Sequence, residues 1–283
     1  KFFADDTMLY SIVNDESTTV DELNHDLKLI ENWAFQWKMS FNPDPNKQAV
    51  ELLFSQRKVK PNHPPLFFNN VEVQSTDKHK HLGLLLDPKL TFDNHVNEKI
   101  ANARKGIGII RYLSSYVPIK TLDQIYKMFV RPHLDYCDII YHSPPISNPY
   151  FSNHKLTSTM ERIEKTQYHA GLAITGCWQG SNRNSVYEEL GWESLSDRRW
   201  ARRLTYFYKI IHKISPEYLQ EHIPSPHVSV YEQRTPKVLL EINCRTSKYM
   251  NSFFPHCVKM WNGIGDDLRN CVSLTTLKKS SRL

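Results

Sequence analysis

Two adjacent carboxylates near the start of the chain, Asp5 and Asp6, are the residues best suited to chemistry. Aromatic and β-branched residues flank them within 1–14, which predicts two short strands joined by a tight turn. Carboxylate oxygens gathered on such a turn suit Mg²⁺. Two such ions about 3.5–4 Å apart can stabilise the attacking and leaving oxygens of phosphoryl transfer. Taken alone, an Asp-Asp pair is more often a simple polar turn.

A group of cations at residues 194–214 is the second chemical feature. Arg198 and Arg202 are four residues apart, as are Arg199 and Arg203, so like charges crowd one side of a predicted helix. The opposite, buried side is predicted to carry Trp200, Leu204, Phe207 and Ile211. Since a polyanion would relieve the crowding, we favour nucleic-acid contact here, with a surface salt-bridge network as the alternative.

Composition places the chain among globular proteins. Of its 283 residues 40% are hydrophobic and 12% aromatic, which excludes the disordered class. The net charge of +6 is compatible with a polyanionic partner without being specific for one. The five cysteines lack metal-ligand spacing, so we interpret them as isolated thiols of an intracellular protein.

No apolar run approaches the roughly 18 residues of a membrane span, and no signal peptide is present, so no membrane partner is expected. The chain starts at Lys1 rather than Met, which suggests a piece of a longer reading frame.

The elements that must position these residues change character along the chain. The first part reads as mixed α and β: a helix capped by Thr18 or Thr19 is predicted to run to about Lys38, before a proline-rich loop. Strands are predicted at 48–55, 66–68, 71–73 and 81–87, with a turn at Asn69-Asn70. The rest reads as helical, apart from a possible strand at 238–242. Its helices are predicted at 94–116, 119–142 with a kink at Pro132, 156–176, 183–190, 194–214 and 252–263.

The sequence Phe3-Ala4-Asp5-Asp6 resembles the F/Y-A-D-D box of reverse transcriptases. Segments farther along resemble, in order and spacing, those of non-LTR, jockey-like retrotransposons. They are Asn32-Trp33, Met39-Ser40-Phe41-Asn42, Lys47, His81-Leu82-Gly83, Leu86-Asp87, Leu90-Thr91-Phe92, His95, Glu189-Leu190-Gly191-Trp192 and Trp261-Asn262. The colinearity covers nearly the whole chain.

This resemblance implies an α+β, predominantly α fold. Residues 1–87 would be the C-terminal piece of a polymerase palm with primer-grip strands, 88–150 a helical thumb, and 151–283 a helical, basic C-terminal extension. The fingers and the rest of the palm, and an endonuclease domain where the family has one, would belong to the same polyprotein upstream of Lys1.

The resemblance also implies roles for single residues. Asp5 would bind Mg²⁺, with Asp6 beside it as a second metal ligand or as electrostatic support. Lys47 would approach the incoming triphosphate unless it is simply a solvated loop lysine. His81 and Gly83 would lead the primer grip, although Gly83 would equally suit a bulge in an ordinary sheet.

In the thumb, Lys99 and Arg104 would contact phosphates of the RNA template and DNA primer. A solvated helix face is the alternative for these two residues.

Three functions are therefore open. The first is the C-terminal fragment of an RNA-directed DNA polymerase that acts by two-metal-ion transfer in its intact parent, inactive by itself and nuclear when acting. The second is a non-catalytic nucleic-acid-binding remnant of a mobile element. The third is a helical interaction protein, which scattered basic residues would favour.

Overall fold

The computed structural model describes residues 2–3, 6–42, 44, 49–59, 61–142, 158–226 and 238–271. The chain divides into two compact units, Lys1–His95 and Val96–Leu283. The fold is α+β and predominantly α, which confirms the class predicted from the sequence.

The strands of the first unit form small two-stranded pairings. Strands β1 (Phe2–Phe3) and β2 (Asp6–Thr7) pair antiparallel around the predicted acidic turn. The predicted strand 48–55 is present as β3 (Val50–Glu51), which pairs in parallel with β6 (Gln74–Ser75). Local pairing therefore occupies only part of each segment that the sequence favours as extended.

Two tight hairpins complete this unit. In the first, β4 (Phe67–Phe68) pairs with β5 (Val71–Glu72), and Asn69 and Asn70 have φ of 51° and 60°. Two positive φ values are the signature of the turn that suits the twist of paired strands, so the predicted asparagine turn is confirmed.

The second hairpin differs from the prediction of one strand at 81–87. Strand β7 (His79–His81) pairs with β8 (Leu84–Leu86), and the chain reverses at Leu82 and Gly83 with φ of 46° and 76°. The apolar run concealed this turn, because only the glycine marks it in the sequence.

Helix α1 (Glu16–Gln36) starts earlier than predicted. The Asp15 carboxylate accepts a hydrogen bond from the Thr18 backbone N–H at 2.8 Å and caps the helix. This bond and one from the Thr18 hydroxyl hold the pKa of Asp15 below its usual value. The predicted cap at Thr18 or Thr19 was therefore wrong, because a carboxylate three residues upstream reaches the free N–H groups first.

Helix α2 (Asp93–Leu113) spans the boundary between the units: its first three residues belong to the first unit, and the helix belongs to the second unit from Val96 onward. The predicted helix 119–142 is interrupted: α3 (Ile119–Ile125) is followed by a π-helical turn (Tyr126–Val130), then α4 (Arg131–Asp135) and α5 (Asp138–Tyr141). Pro132 is the second residue of α4, two positions after the end of the π-helical turn. It lacks the N–H that would continue the helical ladder, so the predicted disruption at this residue is confirmed.

Further helices complete the unit. They are α6 (Ser158–Thr175), α7 (Arg183–Leu190), α8 (Leu195–Ile211), a 3₁₀ helix (Glu217–His222), α9 (Ser247–Met250), α10 (Phe253–Gly263) and α11 (Asp266–Arg269). The predicted strand 238–242 is limited, among the described residues, to a single bridge between Pro226 and Leu239.

Two apolar clusters hold these helices together. The first joins α2, the π-helical turn, α6 and the start of α8, and within it the Tyr126 ring stacks on Trp192 at 4.0 Å. The second joins α8 to α10, with Phe207 against Trp261.

Helices from both sides of the predicted boundary at residue 150 thus share the first core, and residues 143–157 lie outside the described part. The three-part division of the chain stays a prediction. No helix in the part of the chain that the structure describes is long and apolar enough to cross a membrane.

Candidate nucleic-acid interface

The acidic turn is only partly described. Asp6 is exposed at the start of β2 and pairs in register with Phe3. Asp5 and Lys47, the other predicted catalytic residues, lie outside the described residues, so their roles stay predictions. Among the residues that are described, no group of three or more His, Cys, Asp or Glu side chains is arranged to hold a metal ion.

Asp6 lies near the second hairpin of the first unit. Burial and the neighbouring His81 lower the pKa of His79, and the Asp6 carboxylate opposes that shift. The two imidazole rings stack with centroids 6.5 Å apart. The Asp6 carboxylate is therefore within electrostatic range of His79, the residue whose ring stacks on His81. His79 was not among the predicted site residues, although it lies two positions before His81 on β7 and therefore on the same face of the strand.

Gly83 lies in a hairpin turn, so the alternative of a bulge within an ordinary strand is wrong. It occupies the tip of the β7–β8 hairpin with φ of 76°, a conformation that glycine adopts without strain. It is neither a sheet bulge nor part of a straight strand. Contact of this turn with a primer strand stays a prediction.

Two other residues of the resemblance have structural roles. The Asp87 carboxylate is buried and accepts hydrogen bonds from the backbone N–H groups of Lys89, Thr91 and Phe92. The buried His95 ring accepts the Leu85 N–H at 3.2 Å. These side chains fix the loop that leads from β8 into α2, which explains their types without any contact to substrate.

The arginines of α8 differ from prediction in their burial. Arg199 and Arg203 are 2% and 0% exposed. Arg199 donates to the Leu134 carbonyl at 2.6 Å and contacts the His142 imidazole, while Arg203 donates to the Ile139 carbonyl at 2.9 Å. The predicted nucleic-acid contact of Arg199 and Arg203 is therefore corrected, because protein atoms enclose both guanidinium groups.

Arg198 and Arg202 remain partly exposed but are paired. Both contact the Asp135 carboxylate, at 2.8 and 3.0 Å, and Arg202 also donates to Asp138 at 2.7 Å. Two carboxylates from α4 and α5 thus relieve the like-charge crowding that had suggested a polyanion. Contact of Arg198 and Arg202 with nucleic acid stays a prediction.

The acids of this network were not identified from the sequence. Asp138 is 2% exposed, and burial raises its pKa, while Arg202 and then Arg199 act in the opposite direction. It lies 64 residues from Arg202 along the chain, and no local pattern links positions so far apart. The apolar side of α8 is as predicted: Leu204 and Phe207 are buried, and Trp200 and Ile211 pack against the second cluster.

The two predicted thumb cations do not share a surface. The Lys99 ammonium lies 4.8 Å from the Tyr136 ring centroid and is only half-exposed, whereas Arg104 is exposed. Five helical residues separate them, which corresponds to about 140° around α2. Lys99 and Arg104 therefore lie on different sides of α2, and contact of either residue with nucleic acid stays a prediction.

Comparison with known proteins gives a distant relationship. The chain is 24% identical over 192 residues to the protein named "Probable RNA-directed DNA polymerase from transposon X-element" of Drosophila melanogaster, a match that covers 66% of this chain and 19% of that protein. No family model matches the chain. No solved structure matches it either.

The chain thus spans about a fifth of the length of the relative it matches. The similarity supports a distant relationship between this chain and the reverse transcriptases of retrotransposons.

Proposed function

We propose that the chain is the C-terminal part of the RNA-directed DNA polymerase of a non-LTR retrotransposon, and that its intact parent copies an RNA template from a DNA primer. The observation that carries the proposal is the similarity to a transposon polymerase over 66% of the chain. The Phe3-Ala4-Asp5-Asp6 sequence, whose first and last residues pair across strands β1 and β2, gives it independent support.

In the intact parent, Asp5 and Asp6 would hold Mg²⁺, which stabilises the attacking and leaving oxygens of nucleotidyl transfer. Two adjacent acids by themselves are a weak ligand set for Mg²⁺, and the described residues contain no cluster of His, Cys, Asp or Glu that would complete it. A third carboxylate from the upstream palm is therefore part of the proposal, and the chain alone would not polymerise. Lys47 would neutralise charge on the leaving pyrophosphate.

The test is primer extension on an RNA template with Mg²⁺ by the intact parent protein. Asp5→Asn and Asp6→Asn are each expected to reduce extension by at least about 100-fold, since each removes a charged metal ligand. Asp26→Asn, which changes an exposed carboxylate on α1, is the matched control and should leave the rate unchanged. Extension that survives Asp5→Asn would refute the assigned role. Extension by the purified 283-residue chain would refute its inactivity.

A second candidate is a nucleic-acid-binding remnant without catalysis. The exposed cations of α2 and α6 favour this candidate, because they could bind nucleic acid without the polymerase palm. An intact parent that binds an RNA/DNA hybrid but does not extend the primer, under conditions in which a control polymerase does, would select this candidate.

A further inference from the structure

Two segments of the second unit carry cations without acids. Residues 99–122 include Lys99, Arg104, Lys105, Arg111 and Lys120 and contain no Asp or Glu, and residues 165–187 also contain neither. The first segment includes the second half of α2, and the second includes most of α6. Any surface that these helix segments share is therefore positively charged.

Helices α2 and α6 do share a surface. Ile107 of α2 and Ala170 of α6 belong to the same core cluster. At one end of the pair the Asn97 amide oxygen accepts a hydrogen bond from the Arg162 guanidinium. Asn97 and Arg162 therefore mark the flank of each helix that faces its neighbour.

Helical spacing places further cations on the same flanks. Arg104 and Arg111 follow Asn97 by seven and fourteen residues and lie on its side of α2. Lys165 follows Arg162 by three residues on α6. All three side chains are exposed.

His169 reports how close these charges are. Burial lowers the pKa of this half-buried imidazole, and Lys165, Arg111 and Arg104 lower it further, in that order. Helical spacing on two helices that share a core places the three cations in one patch, here called the α2/α6 patch. The effect of all three cations on His169 agrees with this placement.

The patch differs from the arginines of α8 in its pairing. Within the described part of the chain, Arg104, Arg111 and Lys165 form no ion pair with a carboxylate, whereas Arg198 and Arg202 share Asp135. Unpaired, solvated cations on one face can meet an external polyanion without breaking a bond within the protein.

We propose that the α2/α6 patch is the surface through which this chain binds the phosphodiester backbone of nucleic acid, a proposal that rests on the proposed function. The rings of Tyr112 and Tyr116, each 72% exposed and 5.7 Å apart, lie at and just after the C-terminal end of α2, close in sequence to Arg111. Exposed aromatic rings beside a basic surface suit unstacked bases. A nucleic-acid strand is favoured over an anionic membrane because the related transposon protein is named an RNA-directed DNA polymerase.

The test is fluorescence anisotropy with the full 283-residue chain and a labelled 20-base-pair RNA/DNA hybrid. At 0.15 M salt each phosphate contact contributes about five- to six-fold to affinity, so Arg104→Ala/Lys165→Ala should weaken binding about 30-fold. The slope of log affinity against log salt should fall by about 2. Single-stranded RNA and duplex DNA, measured in parallel, distinguish which strand arrangement fits the patch best.

The matched control is Lys105→Ala/Lys209→Ala, which removes the same charge. Lys105 lies next to Arg104 in sequence but about 100° away around α2, and Lys209 lies on α8. The control should bind within about three-fold of the unsubstituted chain. Circular dichroism should show all variants folded, since none of the four side chains is buried.

Three results would overturn the inference. Equal losses in both double variants would mean that net charge alone governs binding, and unchanged binding by Arg104→Ala/Lys165→Ala would place the interface elsewhere. Both leave the proposed polymerase function intact, because primer extension by the parent tests it separately. Tighter binding to phosphatidylcholine/phosphatidylserine vesicles than to the hybrid would identify the patch as a membrane surface instead.

Discussion

Asp138 is the residue on which the buried charge network depends most. Its carboxylate is 2% exposed and lies 2.7 Å from Arg202 and 3.6 Å from Arg199, which is itself 2% exposed. Replacement by Ala leaves the Arg199 guanidinium buried without a carboxylate partner. Breaking a buried pair from one side typically costs about 3–5 kcal/mol. That is a large fraction of the roughly 5–15 kcal/mol that stabilises a domain.

The measurement is urea unfolding followed by circular dichroism at pH 7. With an m value of about 3 kcal/mol per M, Asp138→Ala should lower the midpoint by about 1–1.7 M. Asp138→Asn keeps an oxygen acceptor for Arg202 but removes the charge, so an intermediate shift is expected.

Asp266→Ala is the control, because Asp266 is 76% exposed in its ion pair with Arg269 and such pairs contribute at most about 1 kcal/mol. A shift for Asp138→Ala no larger than that of the control would refute the reasoning. It would mean that the network is dispensable for the stability of the second unit.

Three further outcomes are expected when urea unfolding is repeated with other variants and, for the first outcome, over a range of pH. Burial lowers the pKa of His142, so the unfolded chain binds a proton there more readily than the folded chain does. The free energy of unfolding should therefore fall by up to about 1.4 kcal/mol per pH unit below about pH 6.5. His142→Gln should flatten that loss, and an unchanged dependence of stability on pH would contradict this. A Cβ on Gly106 would lie 2.7 Å from a buried methyl of Val130, so Gly106→Ala should destabilise by about 1–3 kcal/mol. A Cβ on Gly108 in the same helix would have no neighbour within 4 Å, so Gly108→Ala should stabilise the protein by about 0.5–1 kcal/mol. Stability changes of the same sign for the two glycine variants would contradict this account of the packing. The Glu164 carboxylate accepts hydrogen bonds from a tyrosine hydroxyl and from the first N–H of α8. Glu164→Ala should therefore lower the free energy of unfolding by about 3 kcal/mol, and Glu164→Gln by clearly less. Equal losses for the two variants would exclude hydrogen bonding as the cause.

Local elements could be predicted from the sequence because their signals are local. The Asn69-Asn70 turn, the disruption at Pro132 and the helix at 183–190 all follow from residues within a few positions of each other. Two local features were missed. Thr18 and Thr19 are also good capping residues and drew the prediction away from Asp15, the true cap of α1. The apolar residues around Leu82-Gly83 favoured one continuous strand instead of a turn.

The candidate site was predicted less well than the fold. Charge spacing correctly predicted an α8 with arginines crowded together, but it could not show that Asp135 and Asp138 neutralise them from more than 60 residues away. The spacing of charges along the sequence gave no reason to propose α2 and α6 as a nucleic-acid-binding surface. Each helix supplies only part of the basic surface, and the two parts come together only when the helices pack.

The sequence by itself therefore determined the predominantly helical class, the acidic turn and the family that the chain resembles. These depend on short-range propensity and on the order of motifs. Only the tertiary structure decided which cations are available to a partner. Whether a cation can contact a partner depends on its burial and on the carboxylates that folding brings near it. For that reason Arg203 is buried and Arg104 is exposed, although both are arginines on amphipathic helices.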